Sequence, residues 1–362
     1  MSRIMYNEVL PLNSKAEYKE LETLDFVLDF PDKKLVLDTI RLEGLIAHEA
    51  VAGTRNTNEA VQFDGRVGVH NLIDSVSVEI QNQGIIETIS TDYGKMVRML
   101  RDTSLEENEY FQASKVCELC IPSDRITREL TRGTEGGTQS QSFSFKPMIS
   151  LNSNAGGDGT VSYRKTGYVK ISINLNRNSN FYHGVGNTAT QQFVLSKLKC
   201  KYNTVEDDGL DKVNVLKTSY TMKNSMNSDN SNISSKVPAV CSGVSMSFLK
   251  QTTENDLTAN TLNLERPEGI SQVDFLFNDT NKYIQYSLTS EEEYLSYAIE
   301  SLKAVGVSGA NAGRLKANDG FLLGLRFNSL VDLSMNKFTV QIQRANSEAF
   351  ILYQVFHSSI TL

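Results

Sequence analysis

Side chains that alternate between apolar and polar along most of its length are what most limit how this chain can fold. Leu24-Asp25-Phe26-Val27-Leu28-Asp29-Phe30, Ser75-Val76-Ser77-Val78-Glu79-Ile80 and Gly167-Tyr168-Val169-Lys170-Ile171-Ser172-Ile173-Asn174-Leu175 place an apolar residue at every second position. That period belongs to strands with one buried face. It returns at residues 244–248, 272–277, 337–342 and 350–356, so strands are expected up to the C-terminus. Helical spacing stands out in two places. After Thr91-Asp92, read as an N-cap, Tyr93, Met96, Val97 and Leu100 fall at i, i+3, i+4 and i+7, predicting a helix over residues 92–101. After Thr289-Ser290, with Glu291, Glu292 and Glu293 in the first turn, Tyr294, Tyr297, Ala298, Ile299 and Leu302 gather along one face, predicting a helix over 291–302. A third, less regular candidate lies between residues 106 and 119.

Both clear helices follow the same unit. A strand at 74–80 turns through Gln81-Asn82-Gln83-Gly84 and returns along 85–89; a strand at 272–277 turns through Asn278-Asp279-Thr280-Asn281 and returns along 283–288. Two strand candidates precede each unit (24–30 and 35–46; 244–249 and 257–264). Three follow it (142–148, 168–175 and 192–202; 321–327, 337–342 and 350–360). The repeat is one of architecture, with few identities. It implies an all-β chain of two tandem jelly-roll β-sandwich domains, each with one short inserted helix. The expected division is an N-terminal arm at 1–21, a first jelly roll at 22–204, a linker at 205–212 and a second jelly roll at 213–362. Within Thr204-Val205-Glu206-Asp207-Asp208-Gly209-Leu210-Asp211 the carboxylates lack the alternating ligands and closing Glu of a calcium loop, so a solvated connector is expected.

Composition narrows the function. At 362 residues the chain can bury two cores, and 36 Lys+Arg against 43 Asp+Glu leave a formal charge of -7, which argues against direct sequence-specific nucleic-acid binding. No apolar run is long enough for a transmembrane helix, and the first residues lack the apolar core of a signal peptide, so cytosolic synthesis is expected. Four cysteines (Cys117, Cys120, Cys200, Cys241) do not make a disulfide framework.

Chemistry-bearing constellations are absent from the sequence. His48, His70, His183 and His357 show no metal-ligand spacing, and Cys117-Glu118-Leu119-Cys120 stands as a lone CxxC, read as two small buried residues. Gly65-Arg66-Val67-Gly68-Val69-His70 lacks the spacing and Lys-Ser/Thr ending of a phosphate loop, and Gly133-Thr134-Glu135-Gly136-Gly137 precedes a strand where a helix is needed. No Gly-x-Ser-x-Gly elbow occurs. No catalytic, cofactor or metal residue is therefore assigned, and the chain is read as no enzyme. Lys197, Lys199 and Lys201 alternate along a strand and are expected on its solvated face. Asn232-Ile233-Ser234 and Asn278-Asp279-Thr280 fit the glycosylation sequon but lack a secretory context. The absence of Trp weakens a lectin reading.

Two tandem sandwiches with an inserted helix, together with Gly68-Val69-His70-Asn71-Leu72-Ile73-Asp74-Ser75-Val76-Ser77-Val78 leading to Ile86-Glu87 and Tyr93, resemble the double jelly-roll capsid proteins of icosahedral DNA viruses and virophages. Phe143-Ser144-Phe145-Lys146-Pro147 and Phe193-Val194-Leu195-Ser196-Lys197-Leu198-Lys199-Cys200-Lys201-Tyr202 extend the likeness, which spans about residues 22–362. The resemblance implies a structural virion protein, made in the host cytoplasm, that self-assembles with neighbouring capsid proteins. A major capsid protein would form trimers and a penton at the five-fold vertex pentamers. Many eukaryotic members are longer, so this chain would have short loops or be a vertex protein. The rival readings are a receptor- or carbohydrate-binding sandwich and, third, an enzyme on a cupin-like scaffold.

Overall fold

The computed structural model describes residues 3–50, 62–102, 117–120, 127–129, 140–184, 191–210, 212–254, 256, 258–305, 315 and 320–362. The first half supplies β1 Met5–Val9, β2 Glu17–Tyr18, β3 Thr23–Leu28, β4 Lys33–Ala50, β5 Gln62–Asp64, β6 Ile73–Ile80 and β7 Gly84–Ile89. It continues with β8 Thr127–Glu129, β9 Ser140–Phe145, β10 Asn154–Gly156, β11 Thr160–Ser162, β12 Val169–Leu175, β13 Tyr182–His183 and β14 Gln191–Glu206. One sheet runs β1-β14-β4-β11, with β2 on β14 and β9 on β4; a second runs β3-β12-β6-β7, and a small third runs β13-β5-β8. The second half supplies β15 Val215–Met226, β16 Asn230–Ser235, β17 Val240–Lys250, β18 Ile270–Phe277, β19 Asn281–Lys282, β20 Leu323–Asp332, β21 Phe338–Arg344 and β22 Phe350–Thr361. These form the sheets β10-β15-β22-β17-β20 and β16-β21-β18-β19, with the first-half strand β10 as an edge of the former.

Alternation does what the pattern requires. Leu24, Phe26 and Leu28 of β3, Val76, Val78 and Ile80 of β6, and Val169, Ile171 and Ile173 of β12 are all buried. They share one core with Ile40 and Leu42 of β4, Phe143 and Phe145 of β9, and Cys200 and Tyr202 of β14, which closes a two-layer sandwich. A second core joins Val244, Met246 and Phe248 of β17 to Val273 and Phe275 of β18, Phe338, Val340 and Ile342 of β21, and Leu352 and Phe356 of β22.

The two helices lie where the spacing puts them, with differences at their starts. The first is α-helical over Tyr93–Val97 and widens to a π-helix over Arg98–Asp102. Asp92 does not cap it with its side chain: its φ is 53°, and its carboxylate accepts from the Thr91 hydroxyl at 2.9 Å. The second helix, Glu291–Ala304, carries a full capping box between Ser290 and Glu293.

Two strand expectations are corrected. Residues 257–264 are no strand where described. Asp256 accepts from the amide and hydroxyl of Thr258 to make a turn, and the one ladder contact is the Leu264–Gly320 bridge. The return along 283–288 is no continuous strand: the ladder to β18 is confined to Asn281–Lys282, after which there remain the Tyr283 amide bond to the Phe275 carbonyl at 2.8 Å and a Val273–Leu288 bridge, with the Tyr283 ring edge-on against Phe277. The N-terminal arm expected at 1–21 includes β1, which pairs with Thr204 to Cys200 of β14 in its own chain: Met5, Asn7 and Val9 turn inward and half-bury themselves there. The chain also forms β15 and β16, whose Lys, Ser, Thr and Asn content gives no apolar alternation to read. The third helix candidate lies largely outside the described residues, and its end at 117–120 is a turn.

Candidate functional site

The five-stranded sheet of the second half is buried on both faces. One face of β22, Leu352 and Phe356, enters the second core; the opposite face, Tyr353, Val355 and His357, turns toward the first half. Ser245 and Ser247 of β17 stand beside them and are fully buried. Ser247 Oγ donates to Met99 Sδ of the first-half π-helix at 3.2 Å. A strand pair read as half-solvated is therefore the wall of a joint between the halves.

Polar side chains lock the rim of this joint. Asp64, at the end of β5, is buried and paired with Arg66 through Nε at 2.9 Å and a shorter contact from Nη2. Across the joint, Asn260 Nδ2 donates to Asp64 Oδ2 at 2.8 Å, and Arg66 Nη2 donates to Asn263 Oδ1 at 3.2 Å. Lys95 Nζ, buried on the Tyr93–Val97 helix, donates to the Thr261 carbonyl at 3.0 Å and to the Asn263 carbonyl. Residues 260–263 of the second half are thus held in a first-half cradle. Burial alone would raise the Asp64 carboxyl, but the Arg66 guanidinium outweighs it and holds the group at about 2. Burial pushes Lys95 down to about 7.

Deeper in the joint, Glu87 of β7 accepts from the Ser150 amide at 2.6 Å on its own side and from the Ser219 amide of β15 at 3.4 Å on the other. Burial raises its carboxyl to about 7. Glu87, Lys217, Ser219, Leu100 and Val305 line a cavity of about 70 Å³, room for a very few waters. Nearby, His357 Nε2 meets Ser245 Oγ at 2.8 Å, and Ser245 Oγ meets Ser301 Oγ of the Glu291–Ala304 helix at 2.9 Å. His357 Nδ1 has no hydrogen-bond partner among the described residues, and burial pushes the ring down to about 3. A neutral Ser-His pair with both members fully buried is packing, with no face left for a substrate.

The other singled-out residues find structural places. His70 accepts at Nε2 from Arg101 at 2.9 Å, which leaves its proton on Nδ1 facing Tyr93 Oη at 3.4 Å; burial lowers its pKa despite Glu118 beside it. His183 is buried, and the side chain of His48 lies outside the described residues. Cys120 is buried and Cys117 half-buried; no group of three or more His, Cys, Asp or Glu able to hold a metal occurs among the described residues. The glycine-rich stretch from Gly65 is a turn. Gly68, at φ 59°, sits where a Cβ would lie 2.1 Å from the Glu118 carbonyl, so only glycine fits. The stretch at 133–137 lies outside the described residues. Lys199 and Lys201 face outward to Glu8 at 3.1 Å and Glu43 at 2.7 Å. The connector is pinned as well as solvated: Asp207 accepts from Ser162 Oγ at 2.7 Å, and Asp208 pairs with Lys34 at 2.5 Å. Sequence reasoning missed Glu87, Lys95 and Asp64 because each sits alone in an unremarkable motif and is made unusual only by what covers it.

The outer faces are available for contact. Five of the twelve exposed large apolar side chains among the described residues, Ile4, Tyr6, Leu10, Leu12 and Leu21, fall in the first 21 positions, and β1 is an edge strand. No helix among the described residues is long and apolar enough to cross a membrane.

No protein-family model matches the chain, and no curated protein matches it significantly. Solved structures do. The Faustovirus major capsid protein superposes with a TM-score of 0.65 at 8% identity, over 100% of this chain and 90% of that one. A capsid structure of the virus PBCV-1 gives 0.63 at 9% identity, over 100% and 95%. A chain of the Sputnik virophage gives 0.62 at 9%, over 99% and 86%. At such identities the likeness is one of architecture, and on that ground the chain has the fold of the double jelly-roll major capsid proteins.

Proposed function

We propose that this chain is a structural virion protein that self-assembles into an icosahedral shell as a double jelly-roll major capsid protein, and that it catalyses nothing. The observation that carries the reading is the extent of the likeness: it takes in 99 to 100% of this chain and 86 to 95% of the viral proteins, so neither half is left over for another task. The first jelly roll is taken as residues 22–204 with β1 added at its edge, the connector as 205–212 and the second jelly roll as 213–362. Two barrels fixed rigidly side by side make a brick whose outer walls can be tiled, and three copies give six barrels around a pseudo-six-fold axis. The buried joint supports this role, since a brick whose halves swung freely could not set a curvature. The chain is made in the host cytoplasm, and its partners are further copies of itself and neighbouring capsid proteins.

Native mass spectrometry of the purified chain tests the reading. Closed trimers are expected. Pentamers would move the assignment to the five-fold vertex, and a strict monomer at high concentration that binds a glycan through its loops would replace it with an attachment role.

A further inference from the structure

Where the second-half hairpin runs into its helix, two tyrosines touch through their hydroxyls. Tyr286 Oη and Tyr297 Oη are 2.9 Å apart, eleven residues from one another in the chain. The Tyr297 ring is held: it sits on the second turn of the Glu291–Ala304 helix and packs against the second core. The Tyr286 ring is 54% exposed and stands on the stretch between Asn281–Lys282 and the helix. That stretch is fixed on both sides of Tyr286. Tyr283 donates its amide to the Phe275 carbonyl at 2.8 Å, Leu288 and Val273 exchange both backbone bonds at 2.9 Å, and the Ser290–Glu293 capping box begins two residues later. The backbone thus sets the two phenols against each other and leaves one ring open to a reagent from solvent.

We propose that Tyr286 and Tyr297 are an oxidative cross-linking site, at which a one-electron oxidant joins the two rings by a carbon–carbon bond between the positions ortho to their hydroxyls. The oxidants of this class are a peroxide acting through a haem peroxidase and a photo-oxidised metal complex. The bond staples the stretch that carries Tyr286 to the helix, across its capping box. The inference stands on this one contact and does not depend on the assembly reading.

Each phenol gives up one electron and its hydroxyl proton, and the hydrogen bond between the two oxygens puts an acceptor within reach of the first proton to leave. The two phenoxyl radicals pair their odd electrons in the new bond. The two ortho hydrogens then move to the oxygens, so both rings regain their hydroxyls and their aromaticity. Two electrons and two protons are lost in sum, and one hydrogen peroxide takes them up to become two waters. The approach asks for small turns of each ring, and the terminal torsion of a tyrosine is broad. The chain contains no Trp, so no indole competes for the radical, and Cys120, Cys200 and Cys241 are buried away from the reagent.

The test is oxidation of the folded full chain with light-activated tris(bipyridyl)ruthenium, persulfate being the final electron acceptor. Dityrosine fluorescence is read in the monomer band, and mass spectrometry follows cleavage after Glu291, Glu292 and Glu293, which separates the two tyrosines. A peptide pair joined through Tyr286 and Tyr297 with the loss of two hydrogens is expected. Tyr297→Phe, which keeps the ring, should lose most of the monomer-band fluorescence. In denaturant the yield of the joined pair should fall on the order of tenfold, because an open chain holds the rings at a far lower effective concentration. Absence of the joined pair from the folded wild type, or an equal yield in denaturant, would overturn the site. The comparison of native with denatured wild type decides the matter even if Tyr297→Phe fails to fold.

Discussion

Asn260 of the second half donates its side-chain amide to the Asp64 carboxylate of the first across 2.8 Å, and with that bond a surface loop of one barrel becomes part of the interior of the other. The two partners should differ sharply in what their loss does. Asp64→Ala removes the buried carboxylate that pairs with the Arg66 guanidinium and should cost about 3 to 5 kcal/mol. Asn260→Ala removes one hydrogen bond and should cost about 1 kcal/mol. The Asp64 carboxyl is depressed from 3.8 to about 2, so its stabilisation is present above 3.8 and lost as pH falls through 2. Denaturant unfolding at pH 7 and pH 2 checks both points; equal costs for the two variants would show that the pair is not buried as described.

His357 should remain neutral far into acid. Its folded pKa is depressed from 6.5 to about 3 by burial, so the stability it confers is present above 6.5 and lost as pH falls through 3. Its imidazole resonances in the folded protein should not titrate between pH 7 and pH 4. Ser245→Ala, which removes the contact to Nε2, should cost about 1 kcal/mol.

Gly324 of β20 lets the Glu291–Ala304 helix lie close against the sheet: a Cβ there would stand 2.0 Å from Ser301 Oγ and 2.5 Å from Ser301 Cβ. Gly324→Ala should therefore destabilise by about 1 to 3 kcal/mol through overpacking. Ser301→Gly in the same chain should recover part of that loss in thermal unfolding, whereas additive losses would rule out the clash.

The capping box gives a local measurement. Ser290 accepts from the Glu293 amide at 3.3 Å while Glu293 accepts from the Ser290 amide at 3.1 Å. Ser290→Ala should cost about 1 kcal/mol, and amides at the start of that helix should exchange faster.

Cys117 and Cys120 are expected to act as packing residues. Purified protein should carry no stoichiometric zinc, chelator should leave its Tm unchanged, and Cys117→Ser should be nearly neutral. Cys120, which would lie 2.9 Å from a Cβ at Gly68, should tolerate substitution less well. Unfolding on chelation would instead establish a metal site.

Where a residue's own surroundings in sequence decide its burial, the strand pattern was readable. Leu24, Phe26 and Leu28 are buried because alternate side chains of a strand must share a face. Tyr93, Met96, Val97 and Leu100 are buried because residues three and four apart line one side of a helix. Local periodicity therefore carried most of the strands, the two helices and the doubled architecture.

What it could not carry is anything that depends on which surface covers which. Ser245 and Ser247 look like the wet face of a strand and are buried against the Met99 turn, because the second sheet packs on both sides. The loop from Asn260 to Asn263 reads as part of a strand at 257–264 and is instead fastened into Asp64, Arg66 and Lys95. β1 reads as a loose arm and becomes a sheet edge because β14 extends far enough to pair with it. Alternation along a chain fixes which side chains share a face; only the three-dimensional packing decides whether that face meets water, its own core or the other barrel, and Glu87 and Lys95 owe their unusual acid-base properties to that decision alone.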